Sequence, residues 1–357
     1  MKRFFRLFSI TLITLFIFPL CACEQKGSVV DYNFFNTNIH VETYGKLLDN
    51  KTNKALNDLF SSLDNQFNKN KQSSLPYKLN NADKDQAITL TSDQEKVISF
   101  AKNYHAYTDK KFDPTVYPLL ELWGFAPNYP SINFSVPTED ALVSAKAKVD
   151  FDYLTVDNDK IYKTKEQVKI DLGGIVKGYA CDLAGKMLLD AGFTSGYVSI
   201  GGSSIYILQT DELFIHHPRA NENISNALTI DKSLLNNTSV SSSGDYQRYY
   251  TVDGTRYSHL IDPVTAKPSN TGVIGVTVIT KNGCFADAIT TALCLYEYYP
   301  DQQSSPLTNF IDKLLNDYED LSVFVFYQKD NYNLLLTNKK QGEHFTLLDN
   351  NITIINL

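Results

Sequence analysis

Asp171-Leu-Gly-Gly-Ile-Val-Lys-Gly-Tyr-Ala180 joins a short strand-like run, residues 168–170, to a helical pattern that stops at Gly192. Apolar residues recur at helical spacing through this pattern, and a glycine commonly ends a helix. Glycines let a ligand approach the backbone, while the free N–H groups of a first helical turn favour negative charge. The stretch therefore predicts an anion site at a helix start, with Asp171 and Lys177 as its charged side chains. A glycine turn between strand and helix more often serves packing alone, so the other motifs must decide between these interpretations.

Composition and charge exclude several classes of protein. The chain has 357 residues, of which 43% are hydrophobic and 20% are charged, as in ordinary globular proteins. The net charge is −7 and no basic block occurs beyond the N-terminus, which argues against a nucleic-acid-binding protein. Cys181, Cys284 and Cys294 have no metal-binding spacing, and they either remain buried thiols or include one disulfide.

The N-terminus has the pattern of an export signal. Three basic residues within the first six precede an apolar run that extends to Ala22. The sequence Leu20-Cys-Ala-Cys23 matches the bacterial lipobox, in which the cysteine after a small residue is acylated. We expect residues 1–22 to be a lipoprotein signal peptide and residues 23–31 a tether. Lipidated Cys23 would then anchor an exported protein to the periplasmic or extracytoplasmic face of a membrane without spanning it. The alternative is ordinary cleavage, which leaves a soluble exported protein.

Residues 32–357 contain no linker or internal repeat and are interpreted as one cooperative unit. Many short strands are mixed with a few helices, which predicts an α+β fold with mixed, mostly antiparallel sheets and packed helices. Helices are predicted near residues 46–67, 92–108, 138–147 and 286–296, and the polar segment 68–85 is predicted to be a loop.

A second motif, residues 284–292, could bind a metal ion. If this segment is helical, Asp287, Thr290 and Thr291 lie on one face, because residues three and four apart are neighbours on a helix. A carboxylate with hydroxyl groups offers the hard oxygen ligands that Mg²⁺ prefers. The alternative interpretation is that Asp287 caps the helix while the threonines pack in the core.

Two further segments contain side chains suited to chemistry. His259 could act as a general base near neutral pH, although a single histidine on a strand is more often structural. Residues 112–115 and 123–125 place aromatic rings close to a carboxylate, either as a core element or as a wall for a flat ring.

Taken together, these motifs resemble the ApbE-type FAD:protein FMN transferases, also described as thiamine-biosynthesis-type lipoproteins. The resemblance extends from about residue 34 to about residue 299, and the motifs occur in the family's order. The matching segments are FDPTVYPLLELWGF (112–125), DLGGIVKGYACD (171–182), VSIGGSSI (198–205), SSGDYQRYY (242–250), GTRYSHLIDPVTAKP (254–268) and ADAITTAL (286–293).

The resemblance implies an ApbE-like fold and a specific reaction. FAD would be the substrate, and Mg²⁺ would bridge its pyrophosphate. A threonine hydroxyl of an acceptor redox protein would attack the FMN-side phosphorus, so that FMN becomes esterified to that threonine and AMP leaves. His259 is the candidate general base for this hydroxyl. The family's acceptor motif has no intact copy here, so we expect the protein to donate FMN and not to carry it.

Carried over by motif position, the resemblance also implies ligand contacts. The Mg²⁺ ligands would be Asp287, Thr290, Thr291 and the backbone carbonyl of Gly174. The residues expected to contact FAD are Lys111, Phe112, Asp113, Asp171, Lys177 and Ile261, the last through its backbone. Phe35 stands at the position of a flavin-contacting methionine, and Asn70 stands where an aromatic residue often covers the flavin or adenine.

The departures at Phe35 and Asn70 motivate one alternative, a non-catalytic flavin-binding lipoprotein. A second alternative is an FAD pyrophosphatase, in which water replaces the acceptor hydroxyl and the products are FMN and AMP. The metal motif and the DLGG turn match the family's pattern in full, which favours an active enzyme.

Overall fold

The computed structural model describes residues 26–131 and 134–357. The predicted signal peptide, the lipidation candidate Cys23 and the first part of the predicted tether lie outside these residues. In the part that is described, no helix is both long enough and apolar enough to cross a membrane. The three cysteines found there are buried free thiols.

Within the described residues the chain forms eight α-helices and seventeen β-strands. The helices are α1 (Asn50–Phe67), α2 (Leu75–Asn81), α3 (Ser92–Tyr107), α4 (Tyr117–Leu122), α5 (Glu139–Lys146), α6 (Val176–Asp190), α7 (Gly283–Leu293) and α8 (Pro306–Asp317). The strands are β1 (Ser28–Phe34), β2 (Thr37–Thr43), β3 (Ile88–Thr89), β4 (Leu154–Asp157), β5 (Lys160–Lys163), β6 (Gly196–Ile200), β7 (Ser204–Gln209), β8 (Glu212–His216), β9 (Asn226–Asp231), β10 (Asn236–Gly244), β11 (Tyr249–Val252), β12 (Thr255–Ser258), β13 (Val273–Thr280), β14 (Ser322–Lys329), β15 (Tyr332–Thr337), β16 (Phe345–Leu347) and β17 (Thr353–Asn356).

A nine-stranded sheet organises the molecule, with the strand order β1-β2-β6-β7-β10-β13-β14-β15-β17. Every neighbouring pair in it is antiparallel except β15 and β17, which are parallel. Smaller antiparallel sheets are formed by β16-β9-β8, by β3-β5-β4 and by β11-β12. The predicted α+β class with mostly antiparallel sheets is therefore confirmed.

The large sheet is buried on both faces. In β14, Val323 and Val325 belong to the core shared with the helices, whereas Phe324 and Phe326 pack in a second core with the β16-β9-β8 sheet. This alternation follows from the period of two in a strand, where successive side chains point to opposite faces. Helices and the small sheet thus form outer layers, with the large sheet between them.

Two segments differ from the sequence expectations. Ser28–Phe34 forms β1, so the folded part begins inside the predicted tether. The residues of β1 alternate between half-buried and exposed, and this edge strand therefore has no strong apolar pattern in the sequence. Helix α2 lies inside the predicted loop 68–85. Ser74 caps it by accepting the N–H of Tyr77, and Leu75 and Leu79 are buried, so tertiary packing outweighs the polar composition.

Helices α6 and α7 cross with almost no space between their backbones. A Cβ atom on Gly178 would lie 2.0 Å from the carbonyl oxygen of Gly283, and one on Gly283 would lie 2.6 Å from the carbonyl oxygen of Gly178. Only glycine at both positions permits this approach. The DLGG turn at the start of α6 therefore lies directly beside the helix that contains Asp287.

Gly178→Ala should destabilise the protein by about 3 kcal/mol, the upper end of the usual effect of overpacking, because the obstacle is backbone and cannot rotate away. Urea unfolding followed by circular dichroism measures the change. Lys186→Ala, on the exposed side of the same helix, should change stability by less than about 0.5 kcal/mol. Equal stability of Gly178→Ala and the parent chain would contradict the close contact.

Candidate active site

A cavity of about 520 Å³ lies where the DLGG turn meets the loop before α4 and the segments around β10 and β12. This volume is within the range of small-molecule sites. Ten of the predicted site residues line it: Phe35, Lys111, Phe112, Asp113, Asp171, Gly174, Lys177, His259, Ile261 and Thr291. Asp287 and Thr290 lie buried behind the wall. Asn70 is exposed and does not line the cavity, whereas its neighbour Lys69 does.

Asp171 is held by a lysine that the sequence did not indicate. One oxygen of its carboxylate lies 2.5 Å from Nζ of Lys69, and the other accepts the N–H of Gly173 at 2.8 Å. Burial alone would raise the pKa of Asp171, but Lys69, the Gly173 N–H and Arg248 together outweigh burial and lower this pKa. Asp171 is therefore an anion that orders the glycine turn and positions the Lys69 ammonium at the cavity.

The start of α6 is less free to bind an anion than the glycine pattern suggests. The N–H of Gly178 donates to the carboxylate of Asp287 at 2.7 Å, so a side chain of the protein already uses this donor. Lys177 donates to the carbonyl of Gly173 at 2.7 Å, and its Nζ lies 3.9 Å from Asp287. At this turn, the Lys177 ammonium therefore supplies at least as much positive charge for a ligand as the start of the helix does.

Asp287 is almost completely buried, at 3% exposure, and its carboxylate is surrounded by donors. Besides the Gly178 N–H, it accepts the hydroxyl groups of Ser204 at 2.7 Å and Ser241 at 2.5 Å. The expectation of a helix over this segment is confirmed by α7, which places Asp287, Thr290 and Thr291 on consecutive turns. The hydroxyl groups of Thr290 and Thr291 both donate to the backbone carbonyl of Asp287, at 3.0 and 3.1 Å.

Gly174 lies next to Thr291 and Phe112 in the cavity lining. A Cβ atom on Gly174 would lie 3.9 Å from the hydroxyl of Thr291 and 3.3 Å from the ring of Phe112. Of the four candidate metal ligands, Gly174 and Thr291 line the cavity and Asp287 and Thr290 lie behind it, and all of them offer oxygen atoms. This donor set fits a hard divalent cation such as Mg²⁺.

His259 lines the cavity in a defined tautomer. Its Nδ1 lies 3.2 Å from the carbonyl of Arg248, and because a carbonyl can only accept, Nδ1 carries the proton and Nε2 is the free acceptor. The His259 side chain is half-buried, and it lines the cavity. Burial, followed by the positive charges of Arg248 and Lys177, lowers the pKa of His259 to about 3. The imidazole is therefore neutral at pH 7.

Lys111 and Asp113 lie on one segment but are held differently. Nζ of Lys111 pairs with Asp262 at 2.7 Å at the cavity wall. The carboxylate of Asp113 is used inside the protein, where it accepts from Thr115 at 2.7 Å and from the N–H of Phe151 at 3.2 Å. Its contribution is to fix the backbone that presents Phe112, and burial raises the pKa of Asp113.

Phe35 reaches the cavity from a strained hairpin turn. Phe35 and Asn36 both have φ of 56°, the left-handed region that a two-residue type I′ turn between antiparallel strands requires. The N–H of Phe35 donates to Asp64 at 2.7 Å, and Asn68 donates to the side chain of Asn36 at 3.4 Å. A bulky residue seldom adopts this conformation, so these contacts hold Phe35 in place.

Several functional positions could not be identified from sequence motifs alone. Ser204 lies within the segment 198–205 and Ser241 directly before the segment 242–250, and only the register of β7 and β10 brings both hydroxyl groups to Asp287. Arg248 lies in the segment 242–250 without a signal of its own. Lys69 lies in a polar segment, where nothing distinguishes it from Lys71.

Comparison with known proteins agrees with these motifs. The sequence profile of the ApbE family matches residues 35–302. An FAD:protein FMN transferase of Vibrio cholerae is 28% identical over 254 residues, which is 69% of this chain and 74% of the relative. One of Escherichia coli K12 is 32% identical over 206 residues, or 55% of this chain, and the chain spans only 57% of that relative's length.

A solved structure has the same fold. The crystal structure of the ApbE protein from Thermotoga maritima superposes with a TM-score of 0.72 at 26% identity, and covers 85% of this chain and 94% of its own. The profile match spans most of the chain, and all six segments that carried the resemblance contribute residues to the cavity, together with the β1–β2 turn and residues 67–69. The chain belongs to the ApbE family.

Proposed function

We propose that this ApbE-family enzyme is an FAD:protein FMN transferase that moves FMN from FAD to a threonine hydroxyl of an acceptor protein, with Mg²⁺ and release of AMP. The observation that carries the proposal is the convergence on one cavity of a buried carboxylate–hydroxyl set, four cationic side chains and a neutral histidine. Curated relatives that are named FAD:protein FMN transferase support the same reaction class.

The oxygen atoms of Asp287, Thr290 and Thr291 and the carbonyl of Gly174 would hold Mg²⁺. When bound, such an ion neutralises charge on a phosphate group and favours in-line displacement. Asp287 suits this role because it is a carboxylate oxygen donor, and Nζ of Lys177, at 3.9 Å, is too far away to form a close ion pair with it. Ser204 and Ser241 orient the carboxylate from behind, as partners of metal ligands commonly do.

Four cationic side chains line the cavity and would face the pyrophosphate of FAD: Lys69, Lys111, Lys177 and Arg248. Lys69 and Lys111 are paired with Asp171 and Asp262, which fixes their positions. Phe35, Phe112 and Phe125 supply apolar walls at the same cavity, and flat rings of this kind pack well against an isoalloxazine or adenine ring.

His259 would accept the proton of the acceptor hydroxyl at Nε2. The Arg248 carbonyl holds Nδ1–H, so the ring already has the tautomer that this role needs. A base with a pKa near 3 is weak, and the negative charge of bound FAD is expected to raise that pKa toward the working pH.

Two alternatives would use the same cavity. In an FAD pyrophosphatase, water replaces the threonine hydroxyl, and the same residues serve. A non-catalytic flavin-binding protein is motivated by Phe35 and by the exposed Asn70. The hydrogen-bonded oxygen set around Asp287 and the neutral His259 favour catalysis over binding alone.

The purified protein with FAD, Mg²⁺ and an acceptor that carries a target threonine should yield acceptor with covalently bound FMN and an equal amount of AMP. Mass spectrometry of the acceptor and chromatography of nucleotides measure both. Asp287→Ala should lower the rate by more than about 100-fold, beyond the about 10–100-fold typical for loss of an outer partner of a metal ligand. Asp190→Ala, an exposed carboxylate at the end of α6, is the matched control.

Three outcomes would contradict this proposal in different ways. Release of FMN and AMP without flavin on the acceptor identifies a pyrophosphatase. FAD binding without turnover identifies a binding protein. Full turnover by Asp287→Ala at saturating Mg²⁺ would show that the metal site is elsewhere.

The pH dependence of kcat/KM, which reports on the free enzyme, should differ from that of kcat, which reports on the enzyme–FAD complex. Because His259 is neutral down to about pH 3 in the free protein, the acid limb that it causes in kcat/KM should lie well below pH 6.5. The limb in kcat should lie at higher pH, because bound FAD raises the pKa. His259→Gln should remove both limbs and lower kcat by about 10²–10⁴-fold, the usual contribution of a general base.

The same shift predicts the sign of an effect on folding. The pKa of His259 is lower in the folded than in the unfolded chain, so the unfolded chain binds the proton first as pH falls below about 6.5. Stability should therefore decline from about pH 6.5 toward about pH 3, and less steeply in His259→Gln. An acid limb of kcat/KM near pH 6.5 that disappears in His259→Gln would show that the pKa of His259 is not lowered, and would contradict both pH predictions.

We also propose that the mature protein is an exported lipoprotein anchored through Cys23, with the cavity on the extracytoplasmic side. Expression of Cys23→Ser in a bacterial host should release the protein from the membrane fraction while its transfer activity per molecule stays unchanged, because the lipid lies outside the cavity. Fractionation and radiolabelled palmitate incorporation measure this. A Cys23→Ser protein that remains in the membrane fraction would contradict the anchor.

A further inference from the structure

A second group of metal-ligating side chains lies outside the cavity, on the outer side of the wall that Phe112 forms. We refer to His105, Asp150 and Asp152 as the His105 cluster. His105 is on α3, and the two aspartates flank the start of the 3₁₀ turn Phe151–Tyr153. One ring nitrogen and one oxygen of each carboxylate all lie within 4.8 Å of one another. The cluster shares no residue with the oxygen set around Asp287.

His105 has an unsatisfied nitrogen directed into this cluster. The side chain is only 4% exposed, and Nδ1 lies 3.1 Å from the carbonyl of Phe112. Because a carbonyl can only accept, Nδ1 carries the proton and Nε2 presents a lone pair. Among the described residues Nε2 has no hydrogen-bond partner, and a carboxylate oxygen of Asp150 lies 3.8 Å away. A lone pair and a carboxylate that face each other are both satisfied by a cation between them.

The hydrogen bond from Nδ1 is a second feature of metal-binding histidines. Such residues typically donate their other ring N–H to a backbone carbonyl or a carboxylate, which fixes the tautomer and the ring orientation. His105 has both kinds of group beside Nδ1, because Asp113 also lies 3.5 Å from it. The imidazole is thus oriented before any ion arrives.

A lysine ammonium already bridges the two carboxylates of the His105 cluster. Nζ of Lys110 lies 2.9 Å from Asp152 and 3.2 Å from Asp150. The Lys110 side chain is 49% exposed, so it can turn into solvent without leaving a cavity. The cluster therefore already attracts a positive charge, and the present occupant is held weakly, as exposed ion pairs are.

We propose that the His105 cluster binds a divalent transition-metal ion of the Zn²⁺ type, which displaces the Lys110 ammonium. The ligands are Nε2 of His105 and one oxygen each of Asp150 and Asp152, and water completes the coordination. Imidazole with carboxylates suits Zn²⁺, whereas Mg²⁺ prefers oxygen alone. Bonds of about 2.0–2.2 Å require the ligand atoms to close to roughly 3.4 Å. Asp152, 68% exposed, is free to move inward.

The ion would connect to the cavity through one residue. His105 holds the carbonyl of Phe112, whose ring lies against Gly174 in the cavity. Zn²⁺ at the His105 cluster would therefore stabilise the wall that Phe112 forms, without taking part in the transfer reaction.

The test is competition for Zn²⁺ between the metal-free protein and a chromophoric chelator. We expect one Zn²⁺ per chain in this cluster, and a rise of the unfolding temperature on its addition. Asp150→Asn and His105→Gln should weaken Zn²⁺ binding by more than about 100-fold. Lys110→Ala should strengthen it, because the competing ammonium is removed. This gain of affinity is an effect that loss of folding cannot produce.

Three controls exclude other sites. His40 lies beside Asp31 and Glu42 on the surface, so His40→Ala should leave the affinity unchanged. Lys54→Ala removes another lysine paired with an aspartate and should not increase Zn²⁺ affinity. Asp287→Ala should retain Zn²⁺ binding even where flavin transfer is lost, which separates this proposal from the proposed function.

The proposal is overturned if the parent protein binds no Zn²⁺, or if Asp150→Asn and Lys110→Ala bind it as the parent does. If His105→Gln does not fold, Asp152→Asn replaces it, because its side chain is exposed and its loss does not disturb the core.

Discussion

The hydrogen bond from the Gly178 N–H to the carboxylate of Asp287 is the interaction on which the site depends. A buried carboxylate is costly unless its lone pairs are satisfied. Here two serine hydroxyl groups and one backbone N–H satisfy it, and these donors come from β7, β10 and α6. The carboxylate thus joins two strands of the large sheet to two helices. The glycine contact between α6 and α7 is what brings the N–H within reach.

Two of the four cationic side chains at the cavity are held in close ion pairs, and the other two lie near His259. Lys69 and Lys111 each have a close carboxylate partner, whereas Arg248 and Lys177 add to the effect of burial in lowering the pKa of His259. The consequence is a histidine that stays neutral beside cations. An anionic ligand would satisfy the cations and relieve the histidine in the same step. In the proposed reaction, binding of the anionic substrate and proton transfer to His259 would therefore be coupled through electrostatics.

The class of fold follows from short-range sequence patterns, whereas most residues of the cavity wall were expected from the resemblance to the ApbE family. Strand alternation, the helix over α7 and the glycine turn before α6 are all local. Three features are not local. Lys69 reaches Asp171 across 102 positions, Ser204 and Ser241 meet Asp287 only through strand register, and α2 depends on buried leucines within a polar segment. The hydrogen bond from the Gly178 N–H to Asp287 is also non-local. The first turn of α6 therefore has fewer free N–H donors than its sequence predicts.

The strand order has a consequence for how this chain can be divided. The family match ends at residue 302, yet β14, the neighbour of fully buried β13, begins at Ser322. A fragment that stopped at the end of the match would expose an unpaired edge of β13 in the middle of the sheet, together with the apolar surfaces that β14 and α8 cover. Exposed edges of this kind promote aggregation. Residues 303–357 thus complete the large sheet and its core, and protein production should retain them.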